Sequence, residues 1–80
     1  MAPPSGPVRA PQADGVAGPR IRAARKQAGL TQQDLSVAVG VSRQTIIAME
    51  TGDYAPSVYL AIKVANVLGV AVEALWGRET

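Results

Sequence analysis

Between Leu30 and Glu50 the chain carries two short apolar-periodic segments with almost nothing between them. The first, "LTQQDLSVAVG", opens on Thr31 and closes on Gly40; after Val41 alone, Ser42 starts the second, "SRQTIIAME". Serine is a favoured helix N-cap, and glycine readily takes the left-handed backbone that ends a helix. Thr31 is followed three residues later by Asp34, a capping-box pattern with the shorter acid in place of Glu. Leu35 and Ala38 supply the buried stripe of the first segment; Ile46 and Met49 supply that of the second, over about residues 43–50. Two helices of roughly eight to nine residues joined by so short a connection must cross steeply.

The same punctuation runs through the rest of the chain. In "PRIRAARKQAGL", Ile21, Ala24 and Ala28 recur at helical spacing, with Pro19 at the first helical position and Gly29 past the end. "TGDYAP" is a loop, in which Gly52 permits positive φ and Pro56 forbids helix before it. Ser57 caps "VYLAIKVANVLG", whose stripe is Val58, Ala61, Val64, Ala65 and Leu68, and Gly69 stops it. "VEALW" adds a short turn that groups Val72, Leu75 and Trp76. Trp76 is expected to close the core beside Leu68 and Leu75, with a dimer interface as the alternative. The fold class is therefore all-α, five helices and no strand; the valines recur at helical spacing between caps.

Residues 1–18 read as a disordered Pro/Gly-rich arm, residues 19–77 as the folded domain and residues 78–80 as a short tail. Five of the six prolines fall within the first 19 residues, and such a segment cannot bury enough apolar surface to offset its ordering entropy. The folded part is near the lower size limit for folding without a metal or disulfide. Either its packing is unusually good or partner subunits help, and Ile47, Ile62 and Val67 look exposed enough for the second.

The chain has no cysteine and no histidine, which excludes disulfides, Cys/His zinc sites and a histidine general base. With six scattered acids and no glycine-rich phosphate loop, no catalytic constellation can be assembled, so neither enzyme activity, metal nor cofactor is expected. No apolar run approaches the roughly 18–20 residues of a membrane span, and no apolar h-region marks a signal peptide. Reduced cytoplasm is the natural compartment. Net charge is +2, and the excess lies in residues 20–52, which carry Arg20, Arg22, Arg25, Lys26 and Arg43 against Asp34 and Glu50. That suits an anionic partner, although an ordinary solvated face has the same composition.

A steeply crossed pair directs the first turn of its second helix toward a DNA major groove. There Gln44 can pair with adenine, Arg43 with guanine O6 and N7 or with phosphate, and Thr45 with a thymine methyl or phosphate. Arg25 lies four residues from Ile21, and Glu50 four from Ile46, so both fall on core-facing stripes. Opposite charges so placed are expected to meet as a desolvated pair; a solvent-exposed pair is the alternative.

The pieces G-L-T-Q at 29–32, V-G-V-S-R-Q-T-I at 39–46, E-x-G at 50–52, P-S at 56–57 and L-G-V at 68–70 together resemble the lambda-repressor-like (Cro/XRE-type) helix-turn-helix family. Closest in kind are compact XRE regulators with little beyond this domain. The resemblance spans about residues 19–76. It implies five helices, the second and third forming the DNA-binding pair. By resemblance Gln32 contacts phosphate or a base edge, and Arg43, Gln44 and Thr45 match base-reading positions. Ala48 matches another, where its methyl offers an apolar contact, and Thr51 matches a phosphate-contacting position. The helix starts at Thr31 and Ser42 would add backbone N–H donors. A pair at the positions of Arg25 and Glu50 is also common in the family. Three residues depart from the pattern: Asp53 stands where Lys is usual, Ala71 where a capping Ser or Thr is, and Ile47 where a polar side chain is.

The expected function is a sequence-specific DNA-binding transcriptional regulator that places its third helix in the major groove of double-stranded DNA. It would act as a homodimer, in solution or only on DNA, with no membrane and no small-molecule effector. The alternative is a protein-interaction module, such as an antitoxin-like partner with the same fold.

Overall fold

The computed structural model describes residues 17–77. Five helices follow one another: α1 (Ala17–Gln27), α2 (Gln32–Val39), α3 (Arg43–Thr51), α4 (Val58–Leu68) and α5 (Val72–Trp76), with no strand among the described residues. Three of them start on a side-chain cap. Thr31 Oγ1 accepts the Asp34 N–H while Thr31 N–H donates to the Asp34 carboxylate, completing the capping box. Ser42 and Ser57 accept the N–H groups of Thr45 and Leu60. Ala71, at the start of α5, has no side chain that can cap.

The turn between α2 and α3 depends on Gly40. Its φ of 76° lets its N–H and that of Val41 fold back onto the last carbonyls of α2 before Ser42 opens α3. A side chain with a Cβ is strained in that region, so the shortness of the connection rests on this residue.

Packing assigns the layers. α1 lies against α3 and α5, α2 against α3 and α4, and α4 against α5. Ile21, Leu35, Val39, Ile46, Met49, Val64, Ala65, Leu68 and Leu75 form the core, and Val72 and Trp76 pack against it. Leu35, Ile46 and Val64 are wholly inaccessible to solvent. The one buried hydroxyl among the described residues, that of Ser36, is satisfied locally, since its Oγ donates to the Gln33 carbonyl at 2.7 Å.

The structure corrects the expected stripes at three positions. Ala28 is exposed because α1 has already ended at Gln27; its buried face is Gly18, Ile21 and Arg25. Ala38 is exposed and Val39 buried in its place, which removes more apolar area from water. Val58 is 71 % exposed, and the stripe of α4 starts at Ala61. Ile62 and Val67 are exposed, whereas Ile47 is half-buried.

α1 also starts earlier than the expected Pro19 and takes in Ala17 and Gly18, which the composition places in the arm. Proline is tolerated there because the first four N–H groups of a helix have no acceptor within it. Gly18 is buried against the C-terminal end of α3, where an added Cβ would lie 2.3 Å from the Glu50 carbonyl oxygen. The remaining expectation for the arm, over residues 1–16, and that for the tail at 78–80 lie outside the described residues.

Candidate nucleic-acid interface

Glu50 closes α3 from below. Its Oε2 accepts from Arg25 Nε at 2.6 Å and its Oε1 from Arg25 Nη2 at 3.1 Å, a bidentate pair whose side chains are 8 % and 5 % exposed. Gln32 Nε2 donates to Oε1 as well, at 3.1 Å; a carboxylate only accepts, so the Gln32 amide must turn its NH2 inward. Arg25 Nη1 donates in turn to the Leu30 carbonyl at 2.9 Å. One desolvated carboxylate thereby joins α1, the loop before α2, the first residue of α2 and the last turn of α3. Burial alone would push the Glu50 carboxyl up. Hydrogen bonds from Arg25 and Gln32, with the charges of Arg25 and Arg22, outweigh burial and hold it below its ordinary range. The hydrogen bond to Glu50 raises Arg25 against its own desolvation.

With its end fixed, α3 presents its start to solvent. Arg43 and Gln44 are exposed, and neither side chain has a hydrogen-bond partner among the described residues. The hydroxyls of Ser42 and Thr45 lie 3.0 Å apart and bond to each other. The helical repeat sorts the rest. Arg43, Ile47 and Thr51 share one stripe, and Gln44 and Ala48 the next. Thr51 Oγ1 lies 3.2 Å from the Ala48 carbonyl and 3.0 Å from Asp53 Oδ2, so its single proton is directed to one of these two acceptors.

Beside the first stripe is an open concavity of about 620 Å³ between α1, the start of α2 and α3. Thr31, Gln32, Arg43 and Thr51 line it, over the Arg25–Glu50 pair. Ser42, Gln44, Thr45 and Ala48 are not part of its wall. The capping box occupies the N–H groups of Thr31 and Asp34, which leaves those of Gln32 and Gln33 to face solvent at the start of α2. At α3 the Ser42 cap leaves those of Arg43 and Gln44.

Three features of the site were not read from the sequence. Arg22 and Ile47 also line the concavity, and Gln32 bonds to Glu50. Arg22 had a signal, since it stands one turn before Arg25 on α1. The Gln32–Glu50 bond had none, because it depends on the crossing angle of α2 and α3.

The helix-turn-helix family model matches residues 21–75. The chain belongs to this Cro/XRE-type helix-turn-helix family. The helix pair of the family is α2 and α3, turning at Gly40. Among the relatives of this helix-turn-helix protein is an uncharacterized HTH-type transcriptional regulator of Archaeoglobus fulgidus, 46 % identical, matched across 74 % of this chain and 96 % of its own. Another, from Methanothermobacter thermautotrophicus, is 57 % identical across 61 % of this chain and 71 % of its own. The crystal structure of the restriction-modification controller protein C.AhdI from Aeromonas hydrophila matches with a TM-score of 0.74 at 31 % identity, covering 80 % of this chain and 94 % of that one. No helix among the described residues is long and apolar enough to cross a membrane.

Proposed function

We propose that this helix-turn-helix protein is a sequence-specific DNA-binding transcriptional regulator that lays α3 in the major groove. The observation that carries the reading is the state of the first turn of α3: Arg43 and Gln44 are exposed and unengaged, at the free end of a helix clamped at Glu50. Gln44 pairs with adenine, with Ala48 one turn on against a thymine methyl; Arg43 takes guanine or phosphate. Thr45 adds a methyl or hydroxyl contact, Gln32, Thr31 and Ser42 meet the backbone, and Thr51 joins them by turning its hydroxyl proton from the Ala48 carbonyl or Asp53 to a phosphate. The names of the relatives, HTH-type transcriptional regulators, support the regulatory half of the proposal.

One domain reads only a few base pairs. Useful specificity therefore needs a second copy, paired through α4 and α5 or only on DNA, so that two half-sites about 34–36 Å apart are read together. A second reading, a module that covers a protein partner, is favoured by one observation. Val58 and Tyr59 are 71 % and 82 % exposed side by side at the start of α4.

Binding to duplexes from around its own gene, at two salt concentrations, tests the first reading beside the Arg43→Ala/Gln44→Ala variant. The expected outcome is sequence-selective binding that weakens with salt and is lost in the variant while its helix content is retained. Unselective binding that the double substitution leaves unchanged favours the protein-partner reading.

A further inference from the structure

Arg22 has no part in the sequence-specific contacts above, yet it occupies a singular place. It is exposed on α1 and lines the concavity beside α3, with Arg43 also in the wall. Four charged residues line this space: Arg22, Arg25, Arg43 and Glu50. Arg25 and Glu50 neutralise one another in the floor. Two positive charges remain in excess: Arg22 acts on Glu50 only through its charge, and neither Arg22 nor Arg43 makes a side-chain hydrogen bond or salt bridge among the described residues. Three guanidiniums against one carboxylate leave the walls of the concavity with a net charge of +2, which favours an anion there. The other walls are polar or neutral, namely Thr31, Gln32, Gln33 and Thr51, with Leu30 and Ile47 as the apolar members.

We propose that this concavity seats the sugar-phosphate backbone flanking the bases read by α3, with Arg22 as its principal phosphate donor. The proposal rests on the DNA-binding reading and adds to it a residue from α1, outside the helix pair. A guanidinium suits the task because its planar fork can donate two parallel N–H groups to phosphate oxygens. Arg22 would therefore set affinity and register and carry no sequence information.

The test is the affinity of Arg22→Gln for an operator duplex and for a scrambled duplex of equal length, each titrated across salt. One lost phosphate contact lowers the slope of log K against log salt by about 0.9; carried over one decade of salt, that is about eightfold weaker binding at 0.1 M. The expected result is this loss on both duplexes equally, with the preferred sequence unchanged. Arg22→Lys should restore most of the salt slope. Unchanged affinity and slope in Arg22→Gln overturns the proposal and leaves the DNA-binding reading standing. So does a change in which sequence is preferred, which would make Arg22 a base reader. Failure of the wild-type protein to bind either duplex removes the DNA-binding reading and this site with it. Because Arg22 is exposed, its removal should leave the urea midpoint close to that of the wild type, so lost binding cannot be ascribed to unfolding.

Discussion

Glu50 is a carboxylate with both oxygens occupied by three donors and almost no access to water. Breaking such a pair from one side leaves a buried charge uncompensated, so Glu50→Ala or Arg25→Ala should each cost about 3–5 kcal/mol in urea unfolding. The double substitution should cost less than the two singles added, because it leaves no orphan. Arg25→Lys tests the geometry, since a single ammonium cannot keep the bidentate pair and the Leu30 carbonyl together. The pair also sets an acid limit. The Glu50 carboxyl is depressed in the folded state, so the unfolded chain binds its proton first. Its contribution is fully present above its ordinary value of 4.5 and is lost as pH falls from there through the folded-state value. Asp34, depressed by its hydrogen bonds to Thr31, acts in the same direction. Urea midpoints measured from pH 7 downward should fall below about pH 4.5, and Glu50→Gln should flatten that fall while lowering stability at neutral pH. The meeting of Arg25 and Glu50 could be read from sequence because each stood at i+4 from a core isoleucine. Gln32 as a third partner could not, since nothing in the helical repeat relates position 32 to position 50.

Among the elements, caps and glycine stops were the most legible part of the fold. Cap chemistry is local, and Thr31, Ser42 and Ser57 each bond three residues along their own chain. The outer members of the buried stripes were less legible. Ala28, Ala38 and Val58 are apolar and correctly spaced, but which flank of a stripe is covered depends on the neighbouring helix. The start of α1 was less legible: Pro19 suits a first helical position, but the helix begins at Ala17, and Gly18 permits close approach to the backbone of α3. Gly18→Ala tests that approach. Helix propensity alone would favour alanine by about 1 kcal/mol, while the clash with the Glu50 carbonyl is an overpacking of about 1–3 kcal/mol. The expected sign is a net loss of stability, read as a lower thermal midpoint. At the other end, Ala71 has the extended backbone of an N-cap and no side chain to use it. Ala71→Ser should stabilise the protein by about 1 kcal/mol; no gain would mean that α5 is held by Leu75 and Trp76 alone.

The whole molecule has two kinds of surface. One carries the start of α3 and the cationic concavity beside it; the other includes the apolar start of α4. The front was legible because its residues come from one contiguous stretch, 31–51, while the contribution of α1 needed the helices assembled. If two copies act together, nuclease footprints should appear as two protected half-sites centred about 34–36 Å apart on one face of the duplex. A single protected patch would mean that one copy suffices. The central claim, that the first turn of α3 reads bases, is tested most directly by selecting preferred sequences from a random duplex pool with wild type and with Gln44→Ala. The account predicts a wild-type consensus containing an adenine that Gln44→Ala no longer distinguishes, with the other positions retained. An identical consensus from both proteins would contradict it.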